Sequence, residues 1–373
     1  MPPSFREISF ALLFLALCQQ VDAAEYHVTI LDSEPSHANG NGIDGEAAVG
    51  SDRGNTRTGT PHAVLWPNPS ESFINLHPSG FGSSRAFDIY GSTQVGDGFF
   101  TGQNYHALLW HGSAESVVDL HPQGFHSSTA NAVTEKTQAG AGKLVNNGAY
   151  HALLWYGTAE SVIDLHVTDY SATYIWDAVG EGQVGWGAFG PANFPEYYHA
   201  LLWRGTAESV IDLHPTGYIT TFANGGGESV QVGYGIHETM PGISHALLWQ
   251  GTAESVVDLH PAEFRSTNAE AAAGIWQVGR GYQPDNSRPR ALAWMGTAES
   301  VIDLHSLLED QTGLAFSQSL AVDVDRNGNV VGWGDSASGR YAIRWTLVPE
   351  PTTLLLAAIA CLVDCTRKRR IQT

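Results

Sequence analysis

Between residues 25 and 347 the apolar positions form short runs, some alternating with polar residues and some standing as blocks. Gly, Pro or Asn closes most of these runs. No apolar stripe of helical period extends for a useful length, so the pattern predicts short strands and tight turns. The clearest block is His106-Ala-Leu-Leu-Trp110, followed by Gly112-Ser-Ala-Glu-Ser-Val-Val-Asp-Leu-His-Pro122. Near copies run from His151 to His166, His199 to Pro215 and His245 to Pro261. A weaker copy starts at His62, a variant with Arg290-Ala-Leu-Ala-Trp294 ends at His305, and the fragment Tyr341-Ala-Ile-Arg-Trp345 closes the series. The marker residues Trp66, Trp110, Trp155, Trp203, Trp249, Trp294 and Trp345 are spaced by 44, 45, 48, 46, 45 and 51 residues. Repeats of this size that each hold four strands are blades of a propeller.

Each repeat is expected to hold an Ala-rich first strand such as Ala86–Tyr90 and a second such as Thr93–Asp97. A variable loop then leads to the third strand at His106–Trp110, and a Gly turn to a fourth at Ser116–His121. The last repeat lacks a fourth strand, while Tyr26-His-Val-Thr-Ile-Leu-Asp32 stands alone before the first repeat. Pairing the two completes the array and removes exposed sheet edges. The expected fold is therefore all-β: a β-propeller of about seven four-stranded blades, six being the alternative count. The N-terminal strand closes the ring, and a C-terminal hydrophobic helix follows.

The two ends read as targeting segments. Residues 1–24 combine Arg6, an apolar run from Ile8 to Cys18 and the small-residue site Val21-Asp22-Ala23, which is the pattern of a signal peptide. Residues 348–373 contain Pro349-Glu350-Pro351, an apolar stretch from Thr352 to Val363 and the basic tail Arg367-Lys368-Arg369-Arg370. This order resembles the PEP-CTERM sorting signal, which implies an exosortase-type partner, export and at least transient membrane anchoring at the C-terminus. Physics points the same way, because a basic tail stays on the cytoplasmic face. Residues 25–347 resemble the bacterial extracellular HAF repeats. Ala321 to Gly332 matches the first part of that repeat, and the His-Ala-Leu-Leu-Trp blocks match the second. That resemblance implies architecture and an extracellular address, with no established activity.

Charge and cysteine content narrow the picture. The chain carries 38 acidic and 18 basic residues, a net charge of −20, which argues against nucleic acid as a partner. Its three cysteines, Cys18, Cys361 and Cys365, all lie in the end segments, so thiol catalysis and cysteine-based zinc sites are excluded from the body.

Eleven of the 16 histidines recur at two repeat positions, the start of strand three and the end of strand four. Repetition around a ring cannot build one unique site, so these are expected to be structural hydrogen-bonding groups. Glu115 and its four counterparts read as exposed hairpin residues. Asp323, Asp325 and Asn327 match the start of a calcium loop, but the bidentate position is Gly334 and an Asn-Gly turn explains the same stretch. No nucleophile elbow, zinc helix or phosphate loop is present.

The repeat breaks in the loops between strands two and three. Phe99, Trp186, Phe189, Phe194, Tyr197, Tyr198 and Tyr282 are therefore expected to form an aromatic face for extracellular polysaccharide or surface proteins. The repeated Phe81, Phe125, Tyr170, Tyr218 and Phe264 either join that face or plug the spaces between blades. The expected function is a structural or binding role at the cell surface or in the extracellular matrix, without catalysis. The alternative is a secreted polysaccharide lyase or hydrolase. Unlike polar residues clustered at one end of the channel would mark an enzyme, and equivalent residues from every blade would mark a scaffold.

Overall fold

The computed structural model describes residues 24–32, 37–54, 58–100, 104–146, 148–190, 197–226, 229–285 and 288–349. The expected signal peptide up to residue 23, the C-terminal helix and basic tail, and Phe194 lie outside these residues. Among the described residues no helix is long and apolar enough to cross a membrane. One compact unit runs from Val28 to Thr346.

Seven antiparallel four-stranded sheets form the blades. Their first strands are Asn39–Asp44, Phe81–Tyr90, Phe125–Val133, Ala172–Val179, Tyr218–Gly226, Ser266–Ala273 and Phe316–Val324, in blades 1 to 7. Each first strand touches the first strands of both neighbouring blades, so these seven strands surround the central channel. The marker tryptophans are all fully buried; six end their third strands, and Trp345 lies within Arg340–Val348. Each packs into the apolar layer between its own blade and a neighbour: Trp110 lies with Leu65 and Leu76 of blade 1, and Trp155 with Leu109 and Leu120 of blade 2. Burying a side chain of this size stabilises by roughly 2–3 kcal/mol. Every blade junction holds one.

The second strands explain the repeated Gln-Val-Gly-Xaa-Gly. The Gln amide oxygen accepts the N–H of the next turn glycine, as in Gln94 with Gly112 and Gln183 with Gly205, each at 2.8 Å. The first glycine of the pair faces the bulge of strand one. A Cβ on Gly185 would run into the carbonyl oxygen of Tyr174. The second glycine leaves a slot for an aromatic ring. A Cβ on Gly98 would meet Phe81 and Leu108, and one on Gly187 would meet Tyr170 and Leu201. The repeated aromatic after the His-Pro stop therefore fills that slot and packs with the core, so the plug is its role.

Several features differ from expectation: the first strand of blade 2 starts at Phe81 and the second runs to Phe100. The fourth strand is only two residues long, Val118–Asp119 in blade 2, and a 3₁₀ turn over Ala114–Ser116 precedes it. Ser116 Oγ accepts from His111 N at 2.8 Å and donates to Ser113 O at 2.6 Å, which satisfies the turn locally and delays the ladder. Glu115 sits exposed in that turn. A six-residue helix, Leu307–Thr312, also interrupts the all-β body, ending at Gly313 with φ 70°. It occupies the long interval between Trp294 and Trp345.

The N-terminal strand Glu25–Ile30 takes the fourth place in the last sheet, beside Arg340–Val348. Leu31 N donates to Ala342 O at 3.0 Å, and Val28 N donates to Gln311 Oε1 on the helix at 2.8 Å. The inserted helix thus latches the strand that closes the ring.

Candidate functional site

The repeated histidines belong to the framework. In blade 2, His106 Nδ1 bonds Asp119 Oδ2 at 2.8 Å, and His106 stacks on His121 with centroids 4.0 Å apart. His121 Nδ1 meets Ser128 Oγ of blade 3 at 2.8 Å, and the same hydroxyl accepts Ala107 N at 2.9 Å. Equivalent sets occur at His151/Asp164/His166/Thr173, His199/Asp212/His214/Thr221 and His245/Asp258/His260/Thr267. In blade 6 Arg290 replaces the first histidine and pairs with Asp303 at 2.6 Å. Burial lowers the second histidine of each set, His166 to about 4, so these imidazoles are neutral struts between blades.

A second set of bonds ties the first strands together around the channel. Asn41 Nδ2 donates to Ala86 O, Asn131 Nδ2 to Ile175 O and Asn224 Nδ2 to Ala269 O, at 2.8, 2.7 and 3.0 Å. In the intervening blades the next residue is Asp. Asp88 accepts Val133 N and Asp177 accepts Gly226 N, both at 2.7 Å, while Asp323 of blade 7 accepts Ile43 N at 2.8 Å. Asn and Asp clamps alternate from blade to blade. A two-blade alternation in a ring of seven must fail once. It fails at blade 6, where Glu270 and Ala271 stand, and Glu270 turns instead to Arg280 at 3.2 Å and Asn224 at 3.2 Å.

These clamp residues line a cavity of about 690 Å³ to which all seven blades contribute. One arc of its wall is aromatic. Tyr174 stacks on Trp186 (5.5 Å, 7°) and touches Trp176 at 4.5 Å and Tyr150 at 5.7 Å. Phe222 stacks on Tyr234 at 4.8 Å, and Phe87 and Tyr105 flank Arg85. Trp176 is 43% exposed, with its ring on the channel wall. Ion pairs stand at both ends of the arc. Arg85 grips Asp97 through two bonds of 2.9 and 2.5 Å, and Arg280 faces Glu270.

Burial raises the carboxyls in this cavity. Asp177 lies at about 6 and Asp323 at about 7, the latter raised further by Asp177; Asp88 is pushed up by burial and by Asp323 and Asp177. Burial also lifts the phenol of Tyr234 to about 12, so it stays a neutral donor.

These shifts predict opposing pH effects on stability. The lowered histidines contribute stability above pH 6.5 that is lost as pH falls toward 4. The raised aspartates contribute the reverse: their share is full below pH 3.8 and is lost as pH rises through 6 to 7. A full pKa unit corresponds to about 1.4 kcal/mol, less for half-exposed imidazoles. Urea unfolding of the native chain should therefore change little between pH 7 and 5, whereas Asp323→Asn should lose stability over that range. Equal slopes for the two proteins would refute this compensation.

Of the aromatics expected from the loops, Trp186 lines the cavity. Tyr198 packs edge-on against Trp186 at 5.2 Å, while Tyr197 points outward, 49% exposed. Phe189 sits against Tyr170 and His199 and packs with the core. Phe99 stands against Tyr105 at 5.4 Å, and Tyr282 ends the second strand of blade 6, half-buried. The loops thus carry little of the site. Arg85, Phe87, Tyr105, Tyr150, Tyr174, Trp176, Phe222, Tyr234, Glu270 and Arg280 were not anticipated. Most lie on first and second strands, at positions where Tyr174, Thr129, Arg85 and Phe222 already differ from repeat to repeat.

The calcium candidates separate. Asp323 faces the channel, whereas Asp325 accepts Asn327 N, Asn329 N and Asn329 Nδ2 at 2.8–2.9 Å and closes the hairpin turn. Among the described residues no three His, Cys, Asp or Glu side chains are arranged to hold a metal.

Fold and cavity together define a seven-bladed β-propeller whose channel is lined by unlike residues. No family model matches the sequence, and no curated protein matches it significantly. Solved propellers do resemble it. The propeller domain of the trilobed protease of Pyrococcus furiosus aligns over 84% of this chain and 96% of its own, with a TM-score of 0.56 and 12% identity. Oligogalacturonate lyase from Vibrio parahaemolyticus aligns over 87% and 94%, with a TM-score of 0.55 and 12% identity. The acylaminoacyl peptidase of Pyrococcus horikoshii aligns over 89% of this chain and 55% of its own, with a TM-score of 0.55 and 10% identity. At such identities the likeness is one of fold. These neighbours nevertheless overturn the expectation that the chain is not an enzyme, since enzymes are among the propellers it resembles. The channel lining is not seven equivalent residues, which is what a scaffold required.

Proposed function

We propose that this chain is an exported, surface-sorted β-propeller that binds an oligosaccharide in its channel. The observation that carries the reading is the aromatic arc around Tyr174, Trp176 and Trp186 on a cavity of about 690 Å³. Sugar rings present flat C–H faces to such rings, and the polar edges of Tyr, Asn and Arg take their hydroxyls. The cavity suits a few sugar units. Export and sorting rest on the N-terminal signal pattern and on the resemblance of residues 348–373 to the PEP-CTERM signal, with exosortase-type machinery as the implied partner.

The purified protein presented to a panel of defined oligosaccharides should retain one class selectively. Chromatography of the retained sugar then reads whether it is released intact or cleaved. Equal, weak retention of every class would remove the saccharide reading.

A further inference from the structure

The charge in the cavity points to a narrower ligand class. Five carboxylates and two guanidinium groups line it. Arg85 is taken up by Asp97, and Arg280 by Glu270. The remaining three, Asp88, Asp177 and Asp323, have backbone N–H groups and one another as their electrostatic neighbours, with Asp325 adding a further negative charge beside Asp323. Each is held in place by an N–H of its own strand and one from the next blade. Phe87 and Trp176 directly precede Asp88 and Asp177, so aromatic faces and uncompensated carboxylates share one wall. Ring faces and carboxylates both attract an ammonium group, and the same wall repels a uronate.

We propose that the channel selects a ligand bearing protonated amines, which, on the saccharide reading above, is an oligosaccharide of hexosamines with free amino groups. Binding stabilises the ionised form of Asp88, Asp177 and Asp323 and so releases protons near neutrality. The other charged groups facing the site, Arg85, Asp97, Glu270 and Arg280, are paired with one another.

Calorimetry on the full chain at pH 7 tests the assignment with four probes: glucosamine tetramer, its fully N-acetylated counterpart, tetragalacturonate and putrescine. The glucosamine tetramer should bind at least tenfold tighter than the acetylated and acidic sugars. Its apparent enthalpy should vary with the buffer's ionisation enthalpy, and both features should shrink in Asp177→Asn and in Asp323→Asn. If the acetylated tetramer binds as tightly, the amine assignment falls and the saccharide reading stands. If putrescine binds and no sugar does, the saccharide reading falls and the amine assignment stands. If neither amine binds, the assignment is overturned.

Discussion

Trp176→Ala should weaken oligosaccharide binding about thirtyfold while leaving the propeller folded. Trp176 stands on the channel wall, nearly half exposed, with its ring against Tyr174 at 4.5 Å. Removing an aromatic platform at the centre of a site costs roughly 2 kcal/mol, which corresponds to that factor in Kd. The framework does not depend on this ring: Ile175 is buried in the core, and the Asp177 carboxylate accepts Gly226 N of the next blade. Thermal unfolding of the variant should therefore lie close to that of the native protein. Tyr197→Ala is the matching control. Tyr197 is 49% exposed and lies outside the cavity lining, so its loss should leave Kd unchanged. A Tyr197→Ala variant that binds poorly beside a Trp176→Ala variant that binds normally would move the site from the channel to the strand ends.

Gly185→Ala should destabilise the fold by about 3 kcal/mol or more, among the largest structural effects expected of a one-carbon change here. The added Cβ would lie against the carbonyl oxygen of Tyr174, in backbone already bent by the bulge between Ile175 and Asp177. Neither strand can yield without disturbing its neighbours, and overpacked sites of this kind cost 1–3 kcal/mol or more. Gly82→Ala offers the contrast, because its Cβ would meet only Phe99 at ordinary contact distance. Urea titration should separate the two by more than 2 kcal/mol. Similar midpoints would mean that the strand-two glycines are tolerated for their flexibility and not required for close approach.

The framework was legible because its parts recur in every blade. A fully buried Trp at each junction, a Gln for the turn in blades 2 to 6 and a His-Asp pair in four blades repeat at the interval of the blades themselves. The orphan N-terminal strand and the missing last strand likewise announced the closure of the ring. The helix Leu307–Thr312 did not stand out, since six residues carry too little periodicity and only the interval of 51 between Trp294 and Trp345 marks the extra length.

The channel was harder to see for a physical reason. Asn131 and Asp177 hold neighbouring blades by different chemistry, and the alternation extends over two blades, so comparing one repeat with the next hides it. Taken alone, an Asn or Asp on a short strand reads as a turn former. The variable loops draw the eye to Tyr197 and Tyr282, which only end the strands beside them. The variation that builds the site is on strand one, at Arg85, Thr129, Tyr174 and Phe222. Phe189 shows the converse: a loop-proximal aromatic with the right composition that the fold turns into the core.

The most direct measurement is a crystal structure of the protein soaked with the oligosaccharide it retains best. Sugar density should lie in the channel, stacked on Trp176 and within reach of Asp177 and Asp323. Density confined to the strand ends around Tyr197 and Tyr282, with the channel holding only water, would contradict this.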